Sequence, residues 1–393
     1  MSNDKTKKQK SAERKSAKAT TTRRQFLTTA AAASVGGAVL GFPMISKSAA
    51  VTTMRFQSTW PTKDIFHEYA LDFAKKVNDM TGGELKIEVL PAGAVVPAFG
   101  LLDAVSKGTL DGGHGVLVYH YGKQNALALW GSSPAFGMDA NMMLSWHKYG
   151  GGKALLEKVF KSIGANVVSF PYGPMPTQPL GWFKKPITKV ADLKGLKFRT
   201  VGISIDLFTG LGAAVNALPG GEIVPAMDRG LLDAAEFNNA SSDRLLGFAD
   251  VSKVYMLQSY HQNAEQFEIS FNKTKYDALP ANIKAIIAYA VEAASADMSW
   301  KAIDRYSQDY IDLQVKDKVK VYKTPDSVLQ KQLDIFDGVM EKYSAKNPLF
   351  KEVLESQRKY AARAVRWQLD TQLSGRMAYN HYFGKKPTAK KKA

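Results

Sequence analysis

Six polar residues stand on stretches whose pattern is extended or loop-like rather than helical: Gln178, Arg199, Glu236, Asn238, Asn239 and Gln262. Arg199 closes Asp192-Leu-Lys-Gly-Leu-Lys-Phe-Arg199, where Leu196 and Phe198 alternate with Lys197 and Arg199. That period of two marks a short strand after a glycine turn. Gly202 and a helical pattern from Ile205 follow. The arginine therefore stands where strand gives way to loop and helix, at the crevice where α/β sheets bind ligands. Its guanidinium offers a planar fork that matches a carboxylate in bidentate fashion. Glu236 ends the strand pattern Leu232-Asp-Ala-Ala-Glu236. A carboxylate with amide oxygens is a hard donor set, suited to sodium or calcium rather than zinc.

Other chemistries lack their residues. The chain has no cysteine, hence no disulfide, thiol nucleophile or thiolate metal site. Its 6 histidines are scattered, without a His-x-x-x-His or Glu-x-x-His pair. His120, between Tyr119 and Tyr121, reads as a strand residue. No Gly-x-Ser-x-Gly elbow, phosphate loop or dinucleotide fingerprint occurs, and Gly150-Gly151-Gly152-Lys153 reads as a turn opening a helix. An enzyme thus has no positive support. An exported hydrolase or lyase of acidic substrates is the alternative of another class.

The elements that must position these groups alternate. Met54–Trp60 reads as a strand and Asp64–Met80 as an amphipathic helix, with Phe66, Tyr69, Phe73 and Val77 at helical spacing. Leu85, Ile87 and Val89 make a second strand, and a helix near Phe99–Lys107 precedes a third element from Asp111. This order predicts mostly parallel sheets covered by helices. Ala104-Val-Ser-Lys-Gly-Thr-Leu-Asp111 is echoed by Ala226-Met-Asp-Arg-Gly-Leu-Leu-Asp233, which suggests two lobes of similar design. A chain of 393 residues also exceeds what one core accommodates. Pro-punctuated segments around 167–183, and Val254–Leu257 with Gln266–Phe271 running back, read as two crossings that make a hinge. From Ala281 to Val315 there is neither Gly nor Pro, enough for roughly 50 Å of helix, longer than one lobe is wide. The expected division is lobe I at 51–172 and 256–285, lobe II at 173–255 and 316–383, and a lobe-spanning helix at 281–315.

The net charge of +17 suggests nucleic acid until it is located. Residues 1–50 hold +8 of it, and Lys385, Lys386, Lys390, Lys391 and Lys392 another +5, which leaves +4 for 51–384. The basic-patch reading fails, and no nucleic-acid partner is expected. Arg23-Arg24-Gln25-Phe26-Leu27, a mildly apolar run to Ile45 and Ser48-Ala49-Ala50 resemble a twin-arginine signal peptide over 1–50. The mature protein is expected to be periplasmic, starting near Val51, with a disordered basic tail at 384–393.

The motifs Asp192-Leu-Lys-Gly-Leu-Lys-Phe-Arg199, Glu222-Ile-Val-Pro-Ala-Met, Gly230-Leu-Leu-Asp-Ala-Ala-Glu236 and Asn272-Lys-x-x-Tyr276-x-x-Leu279-Pro280 occur in order. Together they resemble the solute-binding subunits of TRAP transporters, the tripartite ATP-independent periplasmic carriers of organic acids. The resemblance covers nearly all of residues 53–370. It implies an α/β fold of two lobes with hinge strands and a long helix spanning both, no enzyme activity, and membrane permease subunits as partners. It leaves a homodimer open. The family's carboxylate-binding arginine falls on Arg199. Gln178-x-x-Gly181-Trp182-Phe183 and Ala235-Glu236-aromatic resemble the subgroup that binds 2-oxo or 2-hydroxy monocarboxylates through a metal ion. There the ion is held by a Gln, a Glu, the carbonyl of the aromatic after it and a second acid. The first three match Gln178, Glu236 and Phe237, with Phe in place of the usual Trp. The fourth falls by spacing on Gln262, an amide.

Trp60, Tyr119 and Asn239 are carried over, with Gln178 and Arg199, as ligand contacts. Glu236, Arg199 and a ligand carboxylate then sum to −1, which favours sodium over calcium, or no ion at all. That count assumes no other acid, such as Glu265, takes the place of Gln262. A dicarboxylate or sugar acid is the alternative ligand within the family.

Overall fold

The computed structural model describes residues 51–384. The expected signal peptide and the basic tail after Gly384 lie outside the described residues. Among the described residues, no helix is long and apolar enough to cross a membrane.

Two mixed sheets carry the fold. The first has the order β2-β1-β3-β10-β4, formed by β1 (Thr52–Ser58), β2 (Leu85–Leu90), β3 (Gly112–Gly115), β4 (Val167–Pro174) and β10 (Gln266–Asn272). The second has the order β11-β9-β5-β8-β6-β7, from β5 (Gly181–Phe183), β6 (Lys197–Arg199), β7 (Ala214–Asn216), β8 (Ala234–Ala235), β9 (Val254–Leu257) and β11 (Lys320–Lys323). Within each sheet one strand runs against its neighbours. β10 is antiparallel to β3 and β4, and β5 is antiparallel to β8 and β9. Each is the strand by which the chain enters from the other lobe. The two crossing segments pair with each other, Met175 N donating to Glu265 O at 2.9 Å and Gln178 N to Gln262 O at 3.3 Å.

Local sequence explains the first lobe. Asp64 caps the helix Ile65–Met80 by accepting from Phe66 N, and Ile65, Phe66, Tyr69, Phe73 and Val77 form its buried face. Gly112 lets β3 lie under Phe56, since a Cβ there would fall 2.1 Å from that ring. His120 is not a strand residue as its flanking tyrosines suggest. The chain tightens into a helical turn, Leu117–His120, and buries the imidazole 3.6 Å from Glu268.

The long helix, Ala281–Val315, is continuous over 35 residues. It packs on the helix Ile65–Met80 and β4 of the first lobe and on the helix Ala240–Leu246 of the second. Ion pairs tie it to both: Lys76–Asp297 and Lys301–Asp72 on one side, Arg244 with Asp309 and Asp312 on the other. The placement of residues 316–383 in lobe II does not hold past Pro348. The helix Asp326–Lys346 packs on the second-lobe helix Ser204–Gly210. The helix Pro348–Thr371 instead crosses back, burying Phe350, Val353 and Leu354 and packing on first-lobe helices Ala140–Tyr149 and Gly152–Ser162. Apolar periodicity shows that a helix has a buried face and is silent about which lobe covers it.

Candidate functional site

The strand directions explain why distant residues meet. Residues after the forward strands β1, β3, β6 and β8 lie at one edge of the sheets. The reversed β5 and β10 bring the residues preceding them to the same edge. Trp60, Tyr119, Arg199 and Phe237 thus face Gln178, Gln262 and Glu265 around one cavity. Its volume is about 20 Å³, the scale of a single water. The lobes are closed on each other here. Phe66 and Phe237, from opposite lobes, pack at 5.8 Å between ring centroids, and Ser242 Oγ donates to Asp64 across the cleft at 2.7 Å.

Arg199 is 1% exposed. Its Nε donates to Leu218 O at 2.8 Å, and Nη1 to Glu236 O at 3.2 Å and to Glu236 Oε1 at 2.9 Å. Nη2 is buried without a hydrogen-bond partner. The expected bidentate fork is therefore only partly free: two of the three nitrogens are bound to the protein, and Nη2 carries the uncommitted N–H groups. The Phe237 ring lies 5.7 Å from the guanidinium, a cation–π contact that holds it in place.

Glu265 lines the cavity beside Gln262. Its Oε2 accepts from Gln178 Nε2 at 2.6 Å and from Gln262 Nε2 at 3.0 Å. The turn entering β10 breaks the register by which position 262 was counted back, so both the amide and an acid three residues later reach the site. Glu236, Glu265 and Arg199 carry −1 between them when all are ionised, before any ligand. The preference for sodium rested on the absence of a second acid, and that premise is overturned. Burial, then the neighbouring Glu236, pushes the Glu265 carboxyl up to about 8. Burial also pushes Tyr119 up to about 12 although Arg199 beside it pulls the other way.

Both glutamines spend their N–H groups on Glu265, which leaves Gln178 Oε1 and Gln262 Oε1 buried and unpartnered, together with Glu236 Oε2 and Glu265 Oε1. Unpaired buried acceptors cost about 1–3 kcal/mol each. Amide and carboxylate oxygens are hard donors, the kind sodium and calcium take. The residues present fit a sodium or calcium ion. Histidine adds little to this set: His261 Nε2 is 3.6 Å from Glu236 Oε2, while its Nδ1 pairs with Ser259 Oγ at 2.7 Å. Among the described residues there is no group of three or more His, Cys, Asp or Glu side chains that could hold a metal by themselves.

Trp60 is set from behind. Its indole N–H donates to His114 Nδ1 at 2.9 Å, and His114 Nε2 pairs with Tyr172 OH at 2.5 Å. An indole can only donate, so the proton of the neutral ring sits on Nε2, and burial pushes His114 down to about 3. Asn239 does not join the site. Its side-chain oxygen accepts from Ser241 N and Ser242 N, capping the helix Ala240–Leu246. Its neighbour Asn238 lines the cavity instead, with Phe66, Val116, Met175 and Val201. Those four apolar residues carry no sequence signal of their own, since they look like ordinary core.

Two lobes hinged on paired crossings, braced by one helix and closed over a buried arginine and hard oxygen donors, define a solute receptor. Residues 56–347 match the family described as bacterial extracellular solute-binding protein, family 7 (DctP). The chain belongs to this family, the periplasmic solute-binding subunits of TRAP transporters, and is a receptor for a small organic acid rather than an enzyme. It delivers the acid to a membrane permease. It is 32% identical over 320 residues, 81% of its length and 87% of the relative's, to a monocarboxylate 2-oxoacid-binding periplasmic protein of Nostoc sp.. A TRAP solute binding protein from Bordetella bronchiseptica superposes with a TM-score of 0.79 at 28% identity, covering 84% of this chain and 97% of that one. It is a mixed-occupancy dimer with copurified calcium and picolinate in one active site and an apo site in the other. A TRAP periplasmic solute binding protein from Pseudoalteromonas atlantica, with bound sodium and pyruvate, superposes with a TM-score of 0.77 at 29% identity, covering 85% and 99%.

Proposed function

We propose that the receptor takes 2-oxo or 2-hydroxy monocarboxylates of about pyruvate size, held between Arg199 and one hard cation. The carrying observation is the set of four buried, unpartnered oxygens beside an arginine with one uncommitted nitrogen. Gln178, Glu236, Gln262 and Glu265 would hold the ion, with the Phe237 carbonyl, and the ion would draw in the acid's oxygens. Arg199 Nη2 meets the carboxylate, and Trp60 and Tyr119 close over it. The 2-oxoacid-binding Nostoc relative and the pyruvate-bound Pseudoalteromonas protein support this class. Among the described residues, Arg199 is the one cationic side chain on the cavity wall. A second carboxylate would have no partner there, which disfavours dicarboxylates.

The ion follows the protonation of Glu265. With Glu265 ionised, the site and a bound carboxylate sum to −2 and balance calcium; with Glu265 protonated they sum to −1 and balance sodium. The test is a thermal-shift and calorimetric screen of organic acids in chelated, calcium and sodium buffers. Saturating ligand adds about 2.7 kcal/mol at a hundred times its dissociation constant. Pyruvate-like acids should bind stoichiometrically without turnover. A larger shift with a dicarboxylate or sugar acid would refute this ligand class.

Export is proposed to use the twin-arginine route, on Arg23 and Arg24. Replacing both by Lys should leave precursor in the cytoplasm. A homodimer is proposed through the helix Gly375–Phe383, which buries none of its residues and exposes Met377, Tyr379, Tyr382 and Phe383. Exposed apolar side chains such as these are common at interfaces, and the Bordetella relative is a dimer. Truncation after Thr371 should give a monomer by light scattering.

A further inference from the structure

A second pocket, a groove of about 780 Å³ that opens to solvent, lies beside the ligand cavity. It runs between the long helix, at Ala302, Ile303 and Tyr306, and the crossing segment that contains Pro174 and Thr177. Two residues line both spaces, Met175 and Asn238. Each is 3% exposed, and Asn238 Nδ2 contacts Met175 Sδ at 3.0 Å. The partition between a space of one water and a space large enough for several carbons is therefore a pair of side chains. Met175 has three rotatable bonds and a soft thioether, the side chain most able to repack around a differently shaped neighbour. Asn238 is held in place, because its Oδ1 accepts from Asn239 Nδ2 at 2.8 Å. The movable half of the partition is Met175.

We propose that Met175 sets the chain-length limit of the bound acid. In the native receptor it walls the ligand cavity and confines the tail to pyruvate size. Without it, unbranched 2-oxo acids extend their aliphatic tails into the larger groove, whose wall includes Leu257, Ala302 and Ile303. This rests on the reading of the site as a 2-oxo acid site. Each methylene that reaches an apolar wall is worth about fourfold in affinity.

The experiment is calorimetric titration of the calcium-loaded protein with pyruvate, 2-oxopentanoate, 2-oxohexanoate and 2-oxooctanoate. The wild type should lose at least tenfold from pyruvate to 2-oxohexanoate. Met175→Ala should reverse the trend, gaining about fourfold per added methylene up to 2-oxohexanoate. Met175→Leu, of similar volume, should keep the wild-type profile. Pyruvate binding with the same chain-length profile in Met175→Ala and wild type overturns the role of Met175 alone. Failure of the wild type to bind any acid of the series overturns the ligand class and this inference with it. Should Met175→Ala not fold, the methyl resonance of Met175 in the ¹³C-methionine-labelled wild type decides. It should shift between the pyruvate and 2-oxohexanoate complexes, and an unchanged resonance overturns the proposal.

Discussion

Replacing Glu265 by Gln should convert a receptor that accepts calcium into one that prefers sodium, and should remove the pH dependence of ion choice. Glu265 stands against Gln178 and Gln262 and is the second acid beside Glu236. At ~4 Å and an effective dielectric of about 20, a unit charge pair is worth about 4 kcal/mol. Calcium gains that twice and sodium once, so deleting the charge removes about 4 kcal/mol of calcium's advantage. Against this, calcium needs Glu265 ionised, and its carboxyl sits at about 8 in the ion-free protein. Expelling the proton at pH 7 costs about 1.4 kcal/mol. A sodium ion that gains from the ionised carboxylate displaces the same proton, so the preference lost stays at about 4 kcal/mol, roughly a thousandfold.

The same displaced proton makes wild-type calcium affinity climb about tenfold per pH unit below 8 and level off above it. The raised carboxyl also affects stability. The ion-free native state holds a proton that the unfolded chain releases near its ordinary value of 4.5. Stability therefore falls as pH rises from about 4.5 to 8, by roughly 1.4 kcal/mol per unit. The assay is calorimetric titration of ligand in calcium and sodium buffers after exhaustive chelation, from pH 6 to 9. A Glu265→Gln variant that keeps both the wild-type calcium-to-sodium ratio and the pH slope would refute the charge count.

Arg199→Lys keeps the charge but cannot reach Leu218 O, Glu236 O and Glu236 Oε1 from one ammonium; the loss of charge-assisted hydrogen bonds at about 1.5–3 kcal/mol each should weaken ligand binding at least tenfold by calorimetry. Near wild-type affinity would remove the arginine from the site. Gly202 has φ +66°, and a Cβ on it would fall 2.3 Å from Val118 and 2.8 Å from Ser132 Oγ of the opposite lobe. Gly202→Ala should therefore hold the lobes apart, raising the ligand Kd more than tenfold and enlarging the radius of gyration with ligand in small-angle scattering. Gly112→Ala, which drives a methyl into the Phe56 ring, should cost about 1–3 kcal/mol and lower Tm without changing ion preference.

Much of the fold was legible in the residues. Periodicity placed the helix Ile65–Met80 and strands β1 and β2, and the absence of Gly and Pro marked the long helix Ala281–Val315 from end to end. A strand-to-loop boundary or a family motif singles out Arg199, Gln178, Glu236, Phe237 and Trp60, and the structure gathers them at one cleft. Their meeting needed more than boundaries. It required β5 and β10 to run backwards in their sheets, a direction that a short apolar run does not encode.

What the chain alone determined is therefore local: which segments are helix or strand, where charge is confined, and which residue types could bind an acid and a hard ion. Tertiary structure decided the rest. It brought Glu265 to the cavity beside Gln262 and turned Asn239 into a helix cap. It also sent the helix Pro348–Thr371 back to the first lobe. The reason is common to all three. A side chain's role depends on the direction from which its element enters the packed interior, and hydrophobic burial selects that direction over the whole molecule at once, where no local spacing records it.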